Sequence, residues 1–510
     1  MASRRTQVEL DPSDAHNERL LANVDPGRYP QPKAAARYNL VVIGAGTAGL
    51  VAAAGAAGLG AKVALIERHL LGGDCLNYGC VPSKALLAAG RAAAAQQAAS
   101  RMEIAVSPPS TVAVDFGAVM DRMRQLRAEL SANDSAARFR ALGVDVFNGE
   151  GQFTGPHTVA VDGQTLCFSR AAITTGSRPV TPGIPGLAEA GYLTNETVFS
   201  LTALPPRIAV IGAGPAGCEL AQAFRRLGAE VAILEVAPTI LIREDADASA
   251  RVARALADQG IRILTGCTIT RVERRERAKI MQLEQSRTAQ QLTVDELIVG
   301  VGRQANVAGL GLEAAGIDYD SQGVKVDDYL RTTNRRVYAA GDVCTSMRFT
   351  HMADAMARIV IRNALFRGRA RVSALTVPTC VYTDPEIAHV GVEPAEAAQR
   401  GLHIRTFVQE LTEVDRAVLD DETAGLVKVH VGSGSDRIVG ASIVASHASE
   451  MISELTIAIA HRIGLRSLAN VIHPYPTQAD AIRKLGDAYN RTRLTPRVRR
   501  LFARWLAWQR

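Results

Sequence analysis

The stretch Asn39-Leu40-Val41-Val42-Ile43-Gly44-Ala45-Gly46-Thr47-Ala48-Gly49 reads as a short apolar strand running into a glycine-rich turn. An Ala-rich helix is expected over 47–59. A second strand follows from Lys62 to Ile66 and ends at Glu67. In such a strand-turn-helix-strand unit Gly44 permits the tight turn, Gly46 admits a pyrophosphate close to the backbone, and Gly49 lets helix pack on strand. The phosphates rest on the helix N-terminus, and Glu67 accepts hydrogen bonds from ribose hydroxyls. The pattern returns downstream. Arg207 to Ile211 is a strand, Gly212-Ala213-Gly214-Pro215-Ala216-Gly217 the turn, a helix runs to Leu227, and a strand from Glu230 to Leu234 ends at Glu235. In both copies the acid lies 23 positions beyond the first glycine. Two copies imply two bound dinucleotides and an α/β chain with two Rossmann-like domains.

Just after the first copy comes Gly72-Gly73-Asp74-Cys75-Leu76-Asn77-Tyr78-Gly79-Cys80-Val81-Pro82-Ser83-Lys84. In a regular helix, positions i and i+5 lie about 8–9 Å apart at Cα. A disulfide tolerates at most about 7 Å. A Cys75–Cys80 bond therefore needs a distorted first turn, which Gly79 permits and Pro82 helps define. Such a bond is strained, easily reduced and suited to turnover. Cys80 falls near a helix N-terminus, where partial positive charge favours a thiolate. A metal site would need further Cys or His ligands nearby, and none follows, so no metal site is read here. The other cysteines, Cys167, Cys218, Cys267, Cys344 and Cys380, are expected to be small buried hydrophobes.

The chain has 510 residues, room for about three domains. At 47% hydrophobic and 5% aromatic it fits an Ala- and Gly-rich α/β protein, and no apolar run approaches the roughly 18 residues that span a bilayer. The first 33 residues are polar and hold no apolar signal core, so a cytoplasmic location is expected. The scattered, odd set of seven cysteines does not make an extracellular framework. Of the net charge of +7, the segment from Arg483 to Arg510 supplies +8, nine basic residues against Asp487 alone. The rest of the chain is near −1, so no nucleic-acid surface is expected on its body.

From about residue 38 to 485 the chain resembles the class I pyridine nucleotide–disulfide oxidoreductases, which include glutathione reductase, dihydrolipoamide dehydrogenase and mercuric reductase. The resemblance implies FAD on the first copy, beside the cysteines, and NAD(P)H on the second. The implied flavin-site residues are Gly44, Gly46, Gly49, Glu67, Gly73, Lys84, Gly176, Gly341 and Asp342. Those of the nicotinamide site are Gly212, Gly214, Gly217, Glu235 and Gly302. Val337 to Asp342 resembles the segment where the flavin domain resumes. Ile173 to Pro179 and Val301 to Asn306 resemble the two crossings between the nucleotide domains. Glu235 favours a free 2′-hydroxyl and hence NADH, whereas Arg243 could reach the 2′-phosphate of the NADPH that mercuric reductases use.

The implied electron path runs from nicotinamide to flavin N5 and then to the Cys75–Cys80 bond. Cys80 is the inner sulfur beside the flavin, and Cys75 the outer one that meets substrate. Lys84 pairs with Glu219 near N5. The implied organisation is a polar arm over 1–36, a discontinuous FAD domain over 37–190 and 324–370, an NAD(P) domain over 191–323, an α+β dimer-interface domain over 371–485, and a basic amphipathic tail over 486–510. A homodimer would share the active site between subunits.

In the disulfide reductases a His-Pro-Thr motif and an acid supply the base. This chain reads His473-Pro474-Tyr475-Pro476-Thr477-Gln478-Ala479-Asp480. Tyr475 aligns with the histidine, as in mercuric reductases, and Asp480 with the acid. A phenol is a poor base at neutral pH but a good donor, and His473 is the alternative base. Three functions stay open: NAD(P)H-driven reduction of a metal ion or disulfide, dihydrolipoamide dehydrogenase-type dithiol oxidation, and a slow flavin redox sensor. No cysteine follows Cys380, so the C-terminal pair of mercuric reductases has no counterpart. In the tail, Leu501, Phe502, Trp505 and Leu506 interleave with Arg497, Arg500 and Arg504. Docking on the body or the partner subunit is the favoured expectation, and weak contact with an anionic membrane surface the alternative.

Overall fold

The computed structural model describes residues 8–99 and 114–510. The chain divides into two compact units. The first draws on Met1–Ala213, Leu220–Leu234 and Cys267–Ala374, and the second on Gly214–Glu219, Glu235–Gly266 and Leu375–Arg510.

In the first unit, strand Tyr38–Ile43 is the centre of a seven-stranded sheet. It pairs in parallel with Val63–Glu67 on one side and Gln164–Ile173 on the other. Its burial on both faces explains the nearly unbroken apolar run in the sequence. Val63–Glu67 continues to Asp145–Asn148, and Gln164–Ile173 leads into an antiparallel meander through Thr158–Val161 and Gln152–Gly155. Strand Val337–Ala339, more than 160 residues later, pairs in parallel with Gln164–Ile173. It brings Gly341 and Asp342 to the end of the sheet that carries the glycine turn. Helix Thr47–Gly58 begins where the sequence places it. The second copy forms parallel strands Arg207–Ile211, Glu230–Leu234 and Glu296–Val299. A three-stranded antiparallel sheet, Cys267–Arg275, Ala278–Gln285 and Thr288–Val294, also belongs to this unit.

The second unit is built on a five-stranded antiparallel sheet. Its order is Pro378–Val381, Glu386–Gly391, Ile438–Ala445, Leu426–Gly432, Ile404–Glu410. Its apolar core includes Val390, Val427, Val429, Ala441 and Ile443, with Leu455 from helix Ala448–Ala460 and Leu485 from helix Asp480–Arg493. Helix Ala246–Asp258 is held in the same unit by ion pairs: Lys428 lies 2.8 Å from Asp245 and 2.6 Å from Asp247, and Arg251 lies 2.9 Å from Glu410.

Three expectations need correction. The N-terminal stretch is not simply a polar arm: Ala15–Val24 is a helix that buries Leu20, Leu21 and Val24, three apolar residues too few to mark the composition. (Residues 1–7 lie outside the described residues.) Cys218 and Cys267 are buried, but Cys167, Cys344 and Cys380 are half-buried. Of the two docking expectations for the tail, cover by the body of its own chain is not seen among the described residues, and cover by the partner subunit stays open. Thr495 caps a separate helix, Pro496–Trp508, which buries none of its residues.

Candidate active site

The segment that carries Cys75 and Cys80 is two helices broken at one glycine. A short helix, Gly73–Asn77, ends at Tyr78, and a new helix begins at Cys80. Between them Gly79 takes φ −128°, ψ −116°, outside any helix. A Cβ there would stand 2.9 Å from the Asp74 carbonyl oxygen and 3.4 Å from Cys75 Cα. The backbone thus doubles back on itself, which overcomes the i, i+5 separation of a regular helix. Both cysteines are free thiols, Cys75 half-buried and Cys80 exposed in the single chain. Hydrogen bonding to Cys80, and then burial, push the Cys75 thiol well above the usual range. Cys80 Sγ lies 3.4 Å from Thr350 Oγ1, a neighbour 270 positions away that no sequence signal announces.

The turn is braced from beneath. Asn77 is buried and donates to the carbonyls of Leu71 and Gly73 at 3.0 and 2.9 Å. Arg127 donates to the Asn77 carbonyl at 2.9 Å and to Asn17 Oδ1, on the N-terminal helix, at 2.7 Å. Burial pushes the Arg127 guanidinium down to about 10. A second brace holds Asp74, the residue before Cys75. Arg303 Nη2 lies 3.1 Å from Asp74 Oδ2, and Asn195 donates to Asp74 Oδ1 at 3.0 Å. Arg303 Nε also donates to Ser177 Oγ at 2.7 Å, and that hydroxyl donates to Asp342 Oδ2 at 2.6 Å. Burial pushes the Asp74 carboxyl up, and Arg303 pulls it back in part. The sequence names Arg303 only as part of a crossing, and Asp74 only as part of the cysteine motif.

The glycine turns have the form a dinucleotide needs. Gly44 sits at φ +102°, where a Cβ would meet the Thr174 carbonyl oxygen at 2.5 Å. Gly212 has the same φ, +102°, and would meet the Gly300 carbonyl oxygen at 2.6 Å. A Cβ on Gly73 would stand 2.6 Å from Gly46 Cα, so these two glycines face each other as bare backbone. No side chain caps helix Thr47–Gly58, which leaves its first N–H groups to a phosphate. Glu67, at the end of its strand, accepts from Ala45 N at 2.7 Å and His69 N at 2.8 Å, and so overlooks the turn. With Asp342 close by Ser177, these residues fit an FAD. In the second copy Glu235 directly follows strand Glu230–Leu234 and accepts from Ala237 N at 2.9 Å. Gly176, Gly302 and Gly341 all adopt positive φ at the crossings and the return to the flavin sheet. Gly214 has nothing within 4 Å of an added Cβ, and Gly217 lies two residues before Glu219 on helix Pro215–Arg226.

Lys84 is half-buried one turn beyond Cys80. Glu219 is buried and accepts from Tyr382 N at 2.9 Å. In the second unit Tyr475 is 74% exposed and donates to Asp415 Oδ2 at 2.8 Å, which together with the Asp415 charge pushes the phenol up. Its hydrogen-bond partner is thus Asp415 rather than Asp480. Asp480 is buried at the start of its helix and accepts from Arg483 at 2.7 Å. The imidazole of His473 is turned inward, 3.0 Å from Glu454. Of the two base candidates, Tyr475 is the one presented to solvent.

Such paired glycine turns, a cysteine pair one helix away and a five-stranded C-terminal sheet define an FAD- and NAD(P)H-dependent flavoprotein of the disulfide reductase type. The chain belongs to the pyridine nucleotide-disulphide oxidoreductase family, whose model matches residues 38–357, and the family's dimerisation-domain model matches 377–485. The second match supports a homodimer. Mercuric reductase from Streptomyces lividans is 35% identical over 463 residues, covering 89% of this chain and 96% of that protein. Dihydrolipoyl dehydrogenase from Chlamydia muridarum is 32% identical over 453 residues, covering 87% and 95%. Among solved structures, the Cu(II) complex of the HOCl-induced flavoprotein disulfide reductase RclA from Escherichia coli superposes with a TM-score of 0.77 at 28% identity, covering 87% and 98%. Among the described residues no helix is long and apolar enough to cross a membrane.

Proposed function

We propose that this protein uses NAD(P)H to reduce a soft metal ion or a disulfide-type acceptor at the Cys75–Cys80 pair. The observation that carries this reading is the Gly79 turn, which folds Cys80 back toward Cys75 with Tyr475 in the histidine position. Bound FAD supplies the passage of an electron pair from nicotinamide to sulfur. The chain's own residues do the rest. Lys84, one turn beyond Cys80, and the buried Glu219 are the charged residues the family resemblance assigns to the surroundings of the ring. Arg303 and Asn195 hold Asp74, and thereby Cys75, in place.

With a disulfide acceptor, Cys75 sulfur attacks one acceptor sulfur, and the other leaves as a thiolate. Cys80 sulfur then attacks Cys75 Sγ, closing the Cys75–Cys80 bond and releasing the second thiol. Two electrons leave the pair as that bond forms. With a soft metal ion, the two thiolates are the ligands, and Tyr475 donates a hydrogen bond to the bound sulfur. The tyrosine disfavours dithiol oxidation in the dihydrolipoamide sense, which needs a competent base. Tyr475 acts on the partner subunit's cysteine pair, so the working form is a cytoplasmic homodimer with shared active sites.

The test is steady-state oxidation of NADH and NADPH by the purified holoenzyme with Hg(II), Cu(II), small disulfides, lipoamide and quinones. Metal- or disulfide-dependent turnover that falls about 100-fold or more in Cys75→Ser supports the reading. Undiminished turnover in that variant, or turnover with lipoamide alone, overturns it.

A further inference from the structure

Helix Pro496–Trp508 carries none of the residues assigned a role in the reaction above, and its two faces differ sharply. At about 100° per residue, Val498, Leu501, Phe502, Trp505, Leu506 and Trp508 fall within one arc of roughly 160°. Arg497, Arg499, Arg500 and Arg504 occupy the rest, with Ala503 and Ala507 between them. From 496 to 510 there is no acidic residue. The helix is independently built: Thr495 accepts from Val498 N, and Pro496 takes a first-turn position. It buries no residue, and Trp505 and Trp508 are 55% and 77% exposed, their rings 5.3 Å apart.

We infer that this helix lies on an anionic phospholipid surface, with its aromatic arc in the boundary between headgroups and acyl chains and its arginines among the lipid phosphates. An apolar face of this size finds no cover among the described residues, and its arginines have no acidic residue on the same helix to answer them. A second copy of the same face would bring arginines against arginines along both flanks. An anionic membrane surface satisfies both faces at once, and indole rings settle at that depth. One such helix binds weakly. A homodimer carries two, and simultaneous engagement multiplies their effect. The inference is independent of the electron acceptor.

Trp505 and Trp508 are the only tryptophans in the chain, so indole emission reports this helix alone. The holoenzyme is mixed with vesicles of phosphatidylcholine, pure or with about 30% phosphatidylglycerol, at about 50 and 500 mM salt. Expected are co-sedimentation with the anionic vesicles at low salt, a blue shift of the emission on binding, and weakening at high salt. Arg497→Glu/Arg500→Glu/Arg504→Glu is expected to lose at least about 100-fold in partitioning, roughly five-fold for each arginine removed, while flavin absorption and NAD(P)H oxidation stay unchanged. No binding to anionic vesicles at low salt overturns the inference, and so does equal binding to pure phosphatidylcholine. Emission already blue in vesicle-free holoenzyme, with dissociation of the dimer on deletion of residues 496–510, also overturns it and assigns the face to a second copy. Should the triple variant misfold, the wild-type emission and salt series decide alone.

Discussion

Arg303 reaches Asp74 at 3.1 Å while its Nε holds the Ser177 hydroxyl that donates to Asp342. One guanidinium therefore ties the residue before Cys75 to the carboxylate expected to meet the flavin. It also opposes the burial and the Asp342 charge that push the Asp74 carboxyl up. Arg303→Gln is expected to cost about 2–3 kcal/mol and to release FAD more readily on gel filtration. Without the arginine the charged form of Asp74 is further disfavoured, so the deficit grows as pH rises through the raised Asp74 pKa. Arg303→Lys restores the charge but not the forked geometry, and recovers only part. Thermal melts and FAD retention at acidic and neutral pH check this.

Gly79 has no room for a side chain. Its added Cβ would press on the Asp74 carbonyl and Cys75 Cα, both backbone atoms that cannot swing aside. Gly79→Ala is expected to destabilise the chain by about 1–3 kcal/mol and to slow closure of the Cys75–Cys80 bond. Denaturant titration and the rate of thiol loss under mild oxidant measure the two effects.

Tyr475 and His473 separate by experiment because they face opposite ways. Tyr475 is exposed, so Tyr475→Phe leaves the stability within about 1 kcal/mol of wild type but lowers acceptor-dependent kcat about 10-fold or more. His473 is turned in toward Glu454 at 3.0 Å. His473→Ala lowers stability by about 1–2 kcal/mol with little change in kcat. The reverse pattern would make His473 the acting residue.

His389 links the two central strands of the second unit to Glu393. Its Nδ1 lies 2.8 Å from Glu393 and 3.0 Å from Ser442, and its Nε2 lies 3.0 Å from the Gly391 carbonyl. Burial works against a charged ring, but the Glu393 hydrogen bond and charge outweigh it, and the His389 pKa lies above its ordinary 6.5. Burial likewise opposes the Glu393 charge, yet His389 and Ser442 hold its pKa below 4.5. The histidine contribution is complete below pH 6.5 and is lost as pH rises through its raised value. The glutamate contribution is complete above 4.5 and is lost as pH falls through its lowered value. Glu244, whose carboxyl burial pushes up, adds to the attraction on the ring once ionised. Melts across pH 5 to 9 are expected to show a stability loss above neutrality that His389→Gln abolishes.

Most of the architecture was legible in the residues because its cues are local. The glycine spacings, the strand ending at Glu67 and the one directly before Glu235 sit within one supersecondary unit each, and the strands from 207, 230 and 438 form where the apolar pattern puts them. The need for a break near Gly79 followed from helix geometry alone. The brace around Cys75 was not legible. Arg303, Asn195 and Arg127 reach it from 50 to more than 200 positions away, and Thr350 reaches Cys80 from 270. The N-terminal helix was hidden for a related reason: three buried apolar residues suffice once Asn17 has Arg127 to bond.

The amino-acid order by itself determined the two nucleotide folds and the break in the helix between Cys75 and Cys80, because backbone sterics at glycine and the strand-helix periodicity act over a few residues. Only the tertiary structure decided that Tyr475 faces outward with Asp415 while His473 turns in to Glu454, and that Arg303 spans Asp74 and the Ser177–Asp342 bond. Those choices depend on which distant carboxylate the packing brings within hydrogen-bond reach, and charge partners carry no periodic mark in a chain.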